Sequence, residues 1–225
     1  MSGTQKFFIV VGGHGMGKDT LINNLRGALS PEHCVFLCDS RGSGINAPYT
    51  RFTNKITEIG KAHHHEMLTP MAQLLLFWAG FLTILHEEVL PHLRQGKFVF
   101  INGLGDIVLA QAMQQARDTA EQQALVALYM SLIEHCLYRQ RIAAPRFLLL
   151  AASPAVAYER LEAANALRGM TIGELMEQIR CFRFYKTDMP HRDVREIDAS
   201  QSPTDVCAET LAQCNLPHWL FKAAA

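Results

Sequence analysis

Nine consecutive residues, Gly12-Gly13-His14-Gly15-Met16-Gly17-Lys18-Asp19-Thr20, follow the order G-x-x-x-x-G-K and combine flexible backbone with one cation and two oxygen-bearing side chains. Glycines at this spacing let the chain turn its N–H groups inward around phosphate oxygens, and a helix that starts at the lysine adds the positive end of its dipole. Lys18 can then reach the outer phosphates of a nucleoside triphosphate accompanied by Mg2+. The residue after the lysine is usually a Ser or Thr whose hydroxyl ligates that ion. Here it is Asp19, so Asp19 and Thr20 are the candidate metal-side donors.

Such a loop works only between a strand and a helix. The apolar run Phe7 to Val11 leads into it, and a helical pattern continues through Leu29. Further β-rich runs at Cys34 to Leu37, Phe98 to Ile101, Phe147 to Ala151 and Val194 to Ile197 alternate with longer helical patterns. That alternation predicts crossover units, a parallel sheet and an α/β fold. Thr69-Pro70, Ser153-Pro154 and Ser202-Pro203 each place a capping hydroxyl before a proline suited to a first helical turn. Thr171 with Glu174 has the form of a capping box. From Leu125 the apolar positions 125, 128, 129, 132, 133, 136 and 137 recur at helical spacing.

The bulk properties narrow the setting. A chain of 225 residues is expected to form one domain, 1–225. Twenty-one Lys plus Arg balance twenty-one Asp plus Glu, so no basic stripe for nucleic acid is expected. Six cysteines without a CxxC pair, and no signal-peptide pattern, point to reduced thiols in the cytoplasm. The apolar run Leu74 to Leu85 is shorter than the ~20 residues that span a bilayer, which makes it a buried helix or a partner interface and predicts no membrane span. His63-His64-His65 are adjacent and cannot converge on a metal as i, i+4 ligands do.

The order of features over nearly the whole chain resembles the thymidylate kinase family. The resemblance is carried by the phosphate loop, Leu74-Leu75-Leu76-Phe77, Leu93-Arg94-Gln95-Gly96-Lys97 before a strand, Ile179-Arg180-Cys181-Phe182, and Ile197-Asp198-Ala199-Ser200-Gln201-Ser202-Pro203. It implies a P-loop NTPase-type three-layer fold with a five-stranded parallel sheet, ATP and Mg2+ at the loop, a small phosphorylated acceptor, a lid near residues 160–172 and a homodimer. By the same resemblance Phe77 stacks on the acceptor base, Arg160 and Arg168 lie near the transferring phosphoryl group, and Tyr185 and Arg180 approach the acceptor. On residue type alone Phe77 equally suits a core, and the arginines a solvated helix face.

The chain departs from the family on the acceptor side. Asn102-Gly103 stands where the family has Asp-Arg, Phe81 where it has a base-reading arginine, and His14 where it has a loop carboxylate. Asp39 with Arg41 after the second strand, and Asp106 four residues beyond Asn102, are the candidate substitutes for the lost charge. The alternative for either aspartate is a loop or capping role. Three functions remain open: a kinase acting on dTMP, a kinase acting on another phosphorylated acceptor, and a nucleotide-binding protein without catalysis. Restoring Asp and Arg at 102 and 103 is expected to raise dTMP turnover if the first holds.

Overall fold

Five short runs of apolar, β-branched and aromatic residues form the strands β1 (Phe7–Val11), β2 (Cys34–Leu37), β3 (Phe98–Asn102), β4 (Arg146–Ala151) and β5 (Asp193–Asp198). The structure, a computed structural model, describes residues 5–37, 69–103, 105–139, 144–167, 169–187 and 193–222. All strand pairs are parallel, in the order β2-β3-β1-β4-β5. The expected β/α alternation is therefore realised as an α/β fold of three layers with a five-stranded parallel sheet, as in P-loop NTPases. The last two strands begin one residue earlier than the apolar runs. Arg146 and Asp193 are register partners, and the Arg146 guanidinium donates to the Asp193 carboxylate at 2.6 Å.

Nine α-helices are described: α1 (Lys18–Ala28), α2 (Pro70–Ile84), α3 (Leu90–Arg94), α4 (Asp106–Gln115), α5 (Thr119–Arg139), α6 (Pro154–Ala163), α7 (Ile172–Cys181), α8 (Phe184–Thr187) and α9 (Pro203–Cys214). A π-helical turn, Leu85–Val89, joins α2 to α3. The capping chemistry acts as the sequence predicts. Thr69, Ser153 and Ser202 accept from the N–H groups of Ala72, Val156 and Asp205, each with a proline in the first turn. Thr171 and Glu174 form a reciprocal capping box. The Thr171 N–H, then its hydroxyl, hold the Glu174 carboxyl below the usual carboxylate range.

Alternation along the strands divides the core. Phe7, Ile9, Val99, Ile101, Phe147 and Leu149 face a layer containing α2, α4, α5 and α8. Phe8, Val10, Phe98, Phe100, Leu148 and Leu150 face α1, α6 and α9. Stacked rings tie the second face across three strands, with Phe8 4.7 Å and Phe36 5.3 Å from Phe100. The run Leu74 to Leu85 buries Leu74, Trp78, Phe81, Ile84 and Leu85, while Leu75 is 46% exposed. Among the described residues, no helix is long and apolar enough to cross a membrane.

Burial controls the thiols that pack in the second layer. It pushes Cys34 up to about 11 and Cys214 up to about 12, so both are protonated near neutral pH. At pH 8 their thiolate fractions are on the order of one in a thousand or less, and alkylation of the folded protein should leave their peptides largely unmodified until denaturant is added. Peptide mass spectrometry after a timed iodoacetamide pulse checks this; prompt labelling of Cys214 in the native protein would mean that this layer is open.

Candidate functional site

The carboxyl end of β1 runs directly into the glycine-rich loop that the sequence marks for phosphate, and the loop passes into α1 at Lys18. Gly17 caps that helix in the left-handed conformation, and Asp19 lies in its first turn, where the dipole favours a carboxylate. Gly15 needs both properties of its residue type. Its φ is +74°, and a Cβ there would lie 2.4 Å from the Ala157 carbonyl oxygen. Met16 is buried beneath the loop and Thr20 is exposed in the first turn of α1.

The Lys18 ammonium donates to the carbonyls of Gly12 at 2.5 Å and Gly13 at 2.9 Å, which holds the cation in the mouth of the loop. Two of the loop's own N–H groups are taken by side chains from elsewhere in the chain. Gly12 N–H donates to the Asp106 carboxylate at 3.2 Å, and His14 N–H donates to the Gln178 side-chain carbonyl at 2.8 Å. Asp106 and Gln178 are 1% and 2% exposed; the bond from Gly12 is buried and the bond from His14 is part-buried. Asp106 is thus the first residue of α4 and a carboxylate beside the phosphate loop at once. Gln178 carried no motif, although its spacing from Leu175 and Phe182 puts a polar side chain on the inward face of α7.

At the end of β3, the Asn102 side-chain amide donates to the Asp19 carboxylate at 2.6 Å. Gly103 N–H donates to the Val10 carbonyl at 2.8 Å, joining this loop to the end of β1. Asp19 and Asn102 thus form a carboxylate–amide pair that joins the first turn of α1 to the end of β3.

This contact alters how Asn102→Asp with Gly103→Arg would act. Aspartate at 102 would face Asp19 across a hydrogen-bond distance. Arginine at 103 would have to adopt the Gly103 φ of +78°, with its Cβ 3.0 Å from an Asp106 carboxylate oxygen. The pair therefore cannot be read as a simple restoration of acceptor chemistry.

Behind the loop lies an aromatic group. The hydroxyls of Tyr129 and Tyr185 are 2.9 Å apart and fully buried, and Trp78 makes edge contacts with Phe81 at 5.1 Å and Tyr129 at 5.6 Å. Burial first, then the Asp106 charge, pushes the Tyr129 phenol well above its ordinary range; burial first, then the neighbouring Tyr129 and Asp106, do the same to Tyr185. Both remain neutral hydrogen-bonding groups. Phe81 is 3% exposed and packs in this core.

Arg160, on the last turn of α6, donates to the Gln201 carbonyl at 3.4 Å, so its cation lies against the loop after β5. Gln201 in turn donates to Glu209 at 3.0 Å. Arg180 is exposed and paired with Glu177 at 2.9 Å. The stretch 160–172 comprises the end of α6, a short connection and the capped start of α7. Asp39, Arg41, Arg168, His63-His64-His65 and the side chain of Phe77 lie outside the described residues.

The Asp19 and Asn102 pair yields a direct test. Asn102→Asp places two carboxylates side by side, which should cost about 1 kcal/mol at this exposed position and lower the melting temperature at low salt without divalent cations. Adding Mg2+ should restore the variant by more than it stabilises the wild type. Equal responses of the two melting temperatures to Mg2+ would mean that Asp19 and position 102 do not share an electrostatic site. The chain matches no protein-family model and no curated protein, so what this site can do is read from its own residues.

Proposed function

We propose that the chain is an ATP-dependent phosphotransferase, similar to thymidylate kinase, that moves the γ-phosphoryl group to a nucleoside monophosphate or a comparable phosphorylated small molecule. One observation carries this proposal: the Lys18 ammonium in the mouth of a strand-loop-helix turn, with an oriented carboxylate, Asp19, beside it on the first turn of the helix. In this mechanism the remaining N–H groups of the loop and the start of α1 bind the triphosphate, and Lys18 exchanges its carbonyl partners for outer phosphate oxygens.

The residues present suit Mg2+, which takes hard oxygen donors and is commonly held by one or two carboxylates together with phosphates and water. Asp19 would hold it, Thr20 offers a hydroxyl, and Asn102 orients the carboxylate by its hydrogen bond. When bound, the ion neutralises charge on the phosphate oxygens. Transfer to a monophosphate requires no general base on this chain, because the attacking phosphate oxygen is already ionised near neutral pH. An uncharged Asn102 is compatible with that chemistry.

A second reading, a nucleotide-binding protein without turnover, is favoured by the neutral Asn102-Gly103 pair, which supplies no cation for an acceptor phosphate. Titration of ATP with Mg2+ and an ADP-release assay over a panel of monophosphates including dTMP separate the two. Lys18→Ala should weaken ATP binding roughly tenfold to a hundredfold, the scale of a lost charge-assisted hydrogen bond. Equal affinity in a folded variant would exclude this loop as the triphosphate site, and ATP binding with no ADP release from any acceptor would favour the second reading.

The proposed setting is the cytoplasm. We further propose a homodimer contact through α2, supported by Leu75, which is 46% exposed on an otherwise apolar helix. Leu75→Glu should then shift the solution mass from dimer to monomer in light scattering, whereas a wild-type mass that is monomeric at every concentration would remove the contact.

A further inference from the structure

We propose that Gln178 is a positioning residue for the phosphate loop and that α7 is energetically coupled to nucleotide binding through it; this rests on the loop being the triphosphate site. Three observations lead there. First, the His14 N–H donates to the Gln178 side-chain carbonyl at 2.8 Å, across 164 residues of sequence. Second, Gln178 is buried and fits closely: a Cβ on Gly13 would lie 3.2 Å from its side-chain oxygen, so a side chain at 13 would press on this contact. Third, α7 crosses between the two core layers, with Leu175 in one and Cys181 in the other, and Gln178 lies between them against the loop.

The helix is anchored at other points as well. Its start is held by the Thr171 and Glu174 capping box, and the Gln114 side-chain amide donates to the Glu174 carbonyl at 3.0 Å. Gln114 belongs to α4, whose first residue, Asp106, accepts from Gly12 N–H. The loop's first turn is thus gripped on two sides by helices that are themselves bonded together. The His14 N–H is part-buried, and its bond to the buried Gln178 side chain favours one orientation of the His14 peptide. With that peptide fixed, the N–H groups that follow are presented to the phosphates in one arrangement rather than several. Coupling of this kind is reciprocal: if Gln178 favours the binding-competent loop, nucleotide must in turn favour the docked state of α7.

Glutamine and leucine have similar size, so Gln178→Leu removes the acceptor and keeps most of the packing, while Gln178→Glu keeps an acceptor oxygen. Hydrogen exchange should show faster exchange at the His14 amide in Gln178→Leu and near wild-type protection in Gln178→Glu. Gln178→Leu should also bind ATP with Mg2+ roughly tenfold more weakly. In the wild type, ATP should slow exchange of amides in α7, and this effect should be lost in Gln178→Leu.

A purely structural Gln178 would lower the melting temperature of the leucine variant but leave its ATP affinity and the ATP-induced protection of α7 unchanged, which overturns the coupling. Failure of the wild type to bind ATP at all is a separate result that overturns the phosphate-site assignment on which the coupling rests. Loss of His14 protection in Gln178→Glu as well as Gln178→Leu would show that the side-chain acceptor does not hold this peptide.

Discussion

A glycine-rich loop between a strand and a helix has little of its own to fix the direction of its peptides, so other parts of the chain must hold them. In this chain that is done by side chains distant in sequence. Gly12 N–H is bonded to Asp106 and His14 N–H to Gln178, both with buried acceptors. Each bond contributes on the scale of an ordinary hydrogen bond, about 1 kcal/mol, and the two together favour one direction of a loop whose glycines alone do not specify it. The placement of α4 and α7 follows from that requirement. Each must bring one polar side chain to the end of β1.

The sheet makes such placement possible. Alternate side chains of β1, β3 and β4 enter different layers, so the strand ends stay in register while helices pack independently on the two faces. β1 lies in the middle of the order, flanked by β3 and β4, so its carboxyl end is enclosed by the loop after β3 on one side and the start of α6 on the other. Asn102 and Ala157 reach the phosphate loop from those two directions.

The pair at positions 19 and 102 shows a carboxylate at a helix start held by a neutral donor. An aspartate in the first turn of a helix is favoured by the dipole, and an amide opposite it can donate where a second carboxylate would repel. The two side chains meet at 2.6 Å, so the residues at 19 and 102 act as one unit.

The local features were legible in the amino-acid sequence. The strand runs, the caps at Thr69, Ser153, Thr171 and Ser202, and the phosphate loop all depend on interactions within a few residues, where residue type and spacing carry the physics. Strand ends were less exact, because β4 and β5 start at an ion pair between residues that are far apart in the chain. The neighbourhood of the loop could not be read in the same way. That Asp106 holds Gly12, that Gln178 holds His14 and that Asn102 holds Asp19 are all pairings between separate crossover units. Which side chains meet there is decided by strand order and by the way helices pack across two layers, and a single sequence records neither, since local propensity is blind to contacts made 83 to 164 residues away.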